Sequence, residues 1–309
     1  MDFLRLLEGI RTPALNVFFS GVTYLGSELA FIVAALAVFW CVDKRRGYYL
    51  FLIGFFGTTL SQSLKLIFRV PRPWVLDRNF TIVESARADA GGYSFPSGHT
   101  QTAVGTYGGL AITTKRKWLR IVCLALVVLV PFSRMYLGVH TPLDVGVAFV
   151  TAAALALVLW PLMQRAGENR RIMPLLLLAV ALCSAAFLVY VTAYPFPADT
   201  DAENLAEGVK NAYTLAGAVA GLIAVYALDE TKLRFRTEAP WYGQLLKLTL
   251  GLALLLAVRT GLKAPLSALL NGSQMANFIR YFLVVLTAGS IWPLTFPFFA
   301  RLGRGKERT

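Results

Sequence analysis

Nine apolar runs, separated by short loops whose charge alternates, constrain this chain more than any other feature of its sequence. They lie at roughly 27–42, 47–68, 97–114, 118–137, 142–163, 172–193, 207–227, 241–260 and 278–300. About 20 mostly apolar residues carry a helix across the hydrocarbon of a bilayer. In lipid only helices or closed barrels satisfy their own backbone. The runs therefore predict an all-α, polytopic transmembrane bundle of about nine spans. The first run is short. Either it borrows from residues 12–26, or that stretch is a second interfacial helix. Charged residues make up 15% of the chain, against about 25% in a soluble domain. That deficit argues against a soluble enzyme and against a disordered chain.

The basic residues sit in the loops. Lys44, Arg45 and Arg46 follow the first run, and Lys115, Arg116 and Lys117 the third. Arg165, Arg170 and Arg171 follow the fifth, Lys232, Arg234 and Arg236 the seventh, and Arg301, Arg304, Lys306 and Arg308 the ninth. Cytoplasmic loops carry the excess of Lys and Arg, so these five loops and the C-terminus are expected to be cytoplasmic. The N-terminus and the loops after runs two, four, six and eight are expected outside. The sixth fits, with Asp199, Asp201 and Glu203 and no Lys or Arg. The formal charge of +13 thus reflects topology, and nucleic acid is rejected as a partner.

Residues 1–11 lack the basic start and the apolar core of a cleavable signal. Phe3, Leu4, Leu6, Leu7 and Ile10 fall largely on one helical face, which suits a helix lying in the interface. Three parts are expected: interfacial N-terminal helices over 1–26, a membrane core over 27–195, and additional C-terminal transmembrane helices over 196–309. Cys41, Cys123 and Cys183 lie inside apolar runs without CxxC spacing, so neither disulfides nor structural zinc are expected. Gly217-x3-Gly221 is a candidate for close helix packing.

The chemistry-bearing residues gather in three clusters. Lys65 and Arg72 stand seven residues apart, about two helical turns, before a break at Pro71 and Pro73. Together they would clamp a phosphate, the lysine as a point charge and the arginine as a fork. Snorkelling to the interface is the plainer role for such residues, and Arg69 is assigned to it. The second cluster is Pro96-Ser97-Gly98-His99, opening the third run. Ser97 suits an N-cap, and the free N–H groups of a helix start beside Gly98 suit an anion. The third is Ser133-Arg134-x5-His140-x3-Asp144. Asp144 caps the helix that follows or orients His140, and Arg134 supplies another fork. His99 and His140 are the chain's two histidines, and both fall at the outer ends of runs. No Cys, His and Asp set has metal-ligand spacing, so no metal or other cofactor is expected. The residues suit phosphoryl transfer through histidine.

In that order and spacing the three clusters resemble the signature of the type 2 phosphatidic acid phosphatase superfamily, whose fold vanadium haloperoxidases share. The resemblance covers roughly residues 12–195. The C-terminal helices lie outside the common six-helix core and are similar to those of sphingosine-phosphate-type phosphatases. The resemblance implies roles residue by residue. His140 is the nucleophile, Asp144 orients it, and His99 is the general acid that later activates water. Lys65, Arg72, Ser97, Gly98 and Arg134 hold the phosphate.

The implied activity is metal-independent hydrolysis of a lipid phosphate monoester or pyrophosphate at the outer leaflet, in a multi-pass protein of the cell membrane. The 74–95 loop is expected to cover the site. Two other readings stay open: a lipid phosphotransferase using the same histidine, and a transporter lined by Lys65, Lys247, Arg259 and Arg280. The last three of those residues are assigned by default to span ends. The lipid itself and the oligomeric state stay open.

Overall fold

A computed structural model describes residues 1–302. Arg304, Lys306 and Arg308, three residues of the expected last basic loop, lie outside the described residues. The described residues form helices and connections, with no strand among them. Seven helices are long and apolar enough to cross a membrane: Lys44–Leu76, Lys117–Tyr136, Pro142–Arg165, Ile172–Ala193, Ala202–Leu233, Trp241–Leu269 and Met275–Arg301. Counting Pro13–Tyr24 and Glu28–Cys41, bent by 48°, as one broken span makes eight.

The polytopic helical bundle is as expected, with seven helices, or eight counting the bent pair, long and apolar enough to cross where about nine runs are read from the sequence. The run at 97–114 becomes Gly98–Ala103, a π turn over Val104–Gly108, and Gly109–Thr113. None of these three pieces reaches 18 residues by itself, and three glycines interrupt the segment at Gly105, Gly108 and Gly109. The run at 27–42 yields a helix of 14 residues, Glu28–Cys41.

The chain divides into two compact units. One comprises Met1–Ile32, Tyr49–Ile172 and Tyr194–Gly208. Its N-terminal helix, Asp2–Gly9, buries Leu4 against Phe80 and Ile82 and leaves Phe3, Leu6 and Ile10 exposed. The apolar face expected of this helix is thus shared between protein and surroundings. Phe19 of Pro13–Tyr24 stacks on Tyr136 at 4.4 Å and on Phe132 at 5.4 Å. The Gly98–Thr113 segment packs through Val104 on Val127 and Ala152. Its Gln101 Oε1 accepts a bond from Thr151 Oγ1 at 2.9 Å.

The other unit comprises Val33–Tyr48, Met173–Ala193 and residues from Val209 onward. Gly217 and Gly221 press directly on the Met275–Leu286 helix. A Cβ on Gly217 would stand 2.1 Å from Phe278 O, and one on Gly221 2.9 Å from Val285 Cβ. The close-packing reading of this pair holds. Lys247 is fully buried and donates to Thr237 O at 2.8 Å, back in the connection before its own helix. Arg280 is buried and donates to Asn277 Oδ1 at 2.7 Å, while Arg259 lies exposed in the last turn of its helix.

Candidate active site

His140 stands in a short connection between two long helices. The first, Lys117–Tyr136, closes with Leu137 N donating to Ser133 O at 2.9 Å and Val139 N to Arg134 O at 3.1 Å. Between them Gly138 adopts φ +82. A Cβ there would meet Arg11 Nη2 at 2.7 Å and Phe80 at 2.9 Å, so angle and space both require glycine. Arg11 Nε in turn donates to Tyr136 O at 2.9 Å. The second helix, Pro142–Arg165, opens on a capping box. Asp144 N donates to Thr141 Oγ1 at 3.3 Å, and Thr141 N to Asp144 Oδ2 at 2.7 Å. A helix end on one side and a helix start on the other fix the imidazole between them.

Asp144 stands close to both the helix start and His140. Oδ2 caps the helix and also lies 3.6 Å from His140 Nδ1. That gap is long for a direct hydrogen bond. Ser94, which the sequence does not single out, bridges it. Its Oγ donates to Asp144 Oδ2 at 2.6 Å and lies 3.4 Å from His140 Nδ1. On the other edge of the ring, Arg72 Nη1 lies 2.9 Å from Nε2. A guanidinium only donates, so Nε2 holds a lone pair and the ring proton sits on Nδ1, facing Ser94 and Asp144. Burial, followed by the charges of Arg72, Arg134, Lys65 and His99, holds His140 well below its ordinary value. The imidazole is therefore neutral, with Nε2 directed at the guanidinium.

The three cations differ in how they are held. Lys44–Phe68 presents Lys65 near its end, and Arg69 then leaves the helix at φ +47. Lys65 and Arg72 converge across this break, so the shared helical face inferred from their spacing does not form. Lys65 Nζ donates to Tyr93 O at 2.7 Å. Arg72 donates to Gly91 O at 2.6 Å, Gly92 O at 3.0 Å and Val139 O at 3.0 Å. The 74–95 loop thus lays three successive carbonyls on the two cations. Arg69 Nη1 donates within its own turn, to Leu66 O at 3.2 Å. Arg134 is fully buried, and Nη1 donates to Thr23 Oγ1 at 2.8 Å. Its Nε and Nη2 are buried and meet no acceptor among the described residues. Donors in that condition are costly and suit an anion.

Ser97 acts as the N-cap of Gly98–Ala103, its Oγ accepting from Thr100 N at 3.3 Å. Its own N–H goes to Asp144 O at 3.1 Å, which joins the second cluster to the third. A Cβ on Gly98 would meet nothing within 4 Å, so packing does not demand glycine there. The bare residue leaves the amide open to close approach. His99 Nε2 is buried without a partner among the described residues. Among the described residues, no three His, Cys, Asp or Glu side chains gather as a metal would need.

Residues 45–168 match a family model described as PAP2 superfamily, and residues 213–304 one described as PAP2 superfamily phosphatase, transmembrane extension. The chain is similar to an undecaprenyl-diphosphatase of Sulfolobus acidocaldarius, with 29% identity over 47% of this chain and 69% of that protein. It is 25% identical to a sphingosine-1-phosphate phosphatase 1 of Mus musculus, over 84% of this chain and 62% of that protein. A phosphatidylglycerophosphatase B of Bacillus subtilis is 29% identical over 44% of this chain and 69% of that protein. The chain thus spans less than two thirds of the mouse relative.

Proposed function

We propose, for a chain that belongs to the PAP2 superfamily, that His140 carries metal-independent hydrolysis of a lipid phosphate monoester or pyrophosphate. One observation carries the reading: a neutral imidazole aims the Nε2 lone pair at Arg72 while Asp144 and Ser94 face Nδ1. The names of the three relatives, all lipid phosphatases, support the substrate class.

The phosphate enters among Lys65, Arg72 and Arg134, taking over donors that now serve carbonyls or no acceptor at all. The Gly98 amide and Ser97 complete the set of phosphate ligands in this reading. Nε2 attacks phosphorus and the P–O bond to the lipid alcohol breaks. His99 takes up a proton as the phosphate brings its negative charge into the site, and gives that proton to the leaving oxygen. The Nδ1 proton of His140 stays toward Ser94 and Asp144, which stabilise the positive ring of the phosphohistidine. Water then attacks phosphorus, His99 takes a proton from it, and the P–N bond breaks to release inorganic phosphate. Positioning and fixed positive charge supply most of what such a transfer needs.

The site faces the outer leaflet in this reading. His99 and His140 each stand at the start of a helical segment whose far end meets a basic loop, Lys115–Lys117 or Arg165–Arg171, and basic loops are cytoplasmic. The test is phosphate release by purified protein in EDTA from a panel of lipid phosphates, beside His140→Ala. EDTA-resistant release that disappears in the variant is expected. Release that survives the variant overturns the nucleophile, and release only with an added acceptor alcohol would make the protein a transferase.

A further inference from the structure

The turn that carries His140 is held in part by a residue outside both family-matched segments. Lys117–Tyr136 ends at this turn, and the last carbonyls of a helix need donors from beyond it. Met135 O accepts from Gly138 N at 3.0 Å, inside the turn. Three further carbonyls are met by distant parts of the chain. Val83 N donates to Leu137 O at 3.0 Å, Arg72 Nη1 to Val139 O at 3.0 Å, and Arg11 Nε to Tyr136 O at 2.9 Å. Val83 supplies a backbone amide, and Arg72 also serves the phosphate. Arg11 is the side chain among the three donors that has no part in holding substrate.

Arg11 does more than cap the helix. Its Nη1 donates to Thr81 O at 2.7 Å, two residues before Val83. The guanidinium thus ties the turn to the 74–95 loop at a second point, and the far end of that loop lays the Gly91 and Gly92 carbonyls on Arg72. The Phe80 ring lies 5.4 Å from the guanidinium carbon. Nη2 sits against Gly138, buried and without an acceptor among the described residues. An unmet donor is a cost, incurred here by holding a planar fork between two carbonyls, a geometry that an ammonium does not reproduce. The next residues brace the same turn: Tyr136 Oη accepts from Thr12 N at 3.3 Å and donates to Asn16 Oδ1 at 3.0 Å.

We propose that Arg11 is a positioning residue for His140, fixing the turn against the 74–95 loop so that Nε2 keeps its line of attack on phosphorus. The proposal rests on the phosphatase reading given above. Among the described residues, none of the hydrogen bonds Arg11 makes goes to Lys65, Arg72 or Arg134. Its loss therefore falls on kcat and spares KM.

The experiment measures phosphate release in detergent from phosphatidic acid, a long-chain-base phosphate and a polyprenyl diphosphate, with full kinetics on whichever the wild type turns over fastest. Arg11→Ala should lower kcat roughly 10–50-fold, within the ~10²-fold that a misplacement of about 1 Å can cost, with KM within a factor of about two. Arg11→Lys should recover little of the loss. Millimolar guanidinium chloride should raise kcat of Arg11→Ala several-fold where equal sodium chloride does not, because the position is only partly buried and open to the ion. Arg5→Ala removes bonds from the N-terminal helix to Asp77 and Asn79 O but none to the turn, and should keep the wild-type kcat. If Arg11→Ala does not fold, Arg11→Lys supplies the same division between kcat and KM. A lowered thermal midpoint with kcat of the folded fraction unchanged overturns the proposal, as does an equal loss of kcat in Arg5→Ala; both leave the phosphatase reading intact. A folded wild type that releases phosphate from none of the three lipids overturns both.

Discussion

The two compact units bury polar side chains in opposite ways. In the unit that holds the candidate site, Ser94, Ser97, Ser133, Arg134, His140 and Asp144 are all 1% exposed or less. They sit at helix ends and in connections, and Arg134 keeps two donors open. In the other unit, Lys247 is closed by Thr237 O and by the Phe296 ring 4.5 Å away. Asp229 is closed by Lys44 at 2.6 Å and by Phe235 N at 3.1 Å. Arg280 departs in part from the pattern, since its Nε lacks a partner. A charge buried for structure has its bonding capacity used up, whereas one buried for chemistry keeps some in reserve for substrate.

Exchanging one deeply buried ionisable group in each unit gives the hardest test. His140→Ala should reduce phosphate release on the order of 10⁴–10⁶-fold, the scale of losing a covalent nucleophile, with the thermal midpoint in detergent nearly unchanged. Lys247→Met should do the reverse. It removes one of two donors to the Thr237 carbonyl, the other being Gln244 Nε2 at 2.8 Å, costing about 0.5–1.5 kcal/mol, and turnover of the folded fraction should stay within a factor of two. Release assays and thermal unfolding of both variants are the measurement. A Lys247→Met enzyme that is stable but inactive would break the comparison.

The two site arginines sharpen it. Arg134→Lys should lower kcat/KM by roughly 10–100-fold, because an ammonium cannot replace a fork of fixed donors. Its effect on the midpoint should be small, since only the bond to Thr23 is lost. Arg72→Lys should lower both activity and midpoint, because three backbone carbonyls lose their donors together. Equal midpoints for the two variants would mean that those carbonyl bonds contribute little.

Ser94→Ala should have a smaller effect, about tenfold in kcat with KM little changed. The 3.6 Å between His140 and Asp144 would then be spanned by nothing, and the ring would lose its orientation rather than its reactivity. Ser94→Thr should restore most of the rate. An equal loss in both variants would point to packing instead.

Spacing in the sequence is enough to point to His99, His140, Asp144 and the three cations, because each motif is local and its chemistry lies in side chains. Ser94 escapes notice because a serine in a polar loop has no signature until the fold sets it beside Asp144. The carbonyls of Gly91, Gly92 and Tyr93 escape for a deeper reason, since every residue offers the same acceptor. Arg11 stands far along the chain from Tyr136, and only tertiary packing brings the two together. The interruption within 97–114 escapes because hydropathy registers apolar content and not the π turn at Val104–Gly108. The Gly217 pair succeeds because small residues four apart leave a mark that survives without coordinates.

Two glycines give the mildest and most selective test. At Gly98 an added Cβ meets nothing, so Gly98→Ala should fold with a wild-type midpoint. If phosphate approaches the Gly98 amide as proposed, the methyl stands in its way, and kcat/KM should drop several-fold, mostly through KM. At Gly217 an added Cβ comes within 2.1 Å of a backbone oxygen, Phe278 O. Two helices must separate to admit it, at a cost of about 1–3 kcal/mol, while nothing in the described contacts links Gly217 to His140. Gly217→Ala should therefore lower the midpoint and leave KM where it was. Both variants add one methyl group, so size alone cannot account for opposite outcomes. If Gly98→Ala lowers the midpoint and leaves KM unchanged, then Gly98 serves packing. The helix start that begins with it would then lose its place among the phosphate ligands.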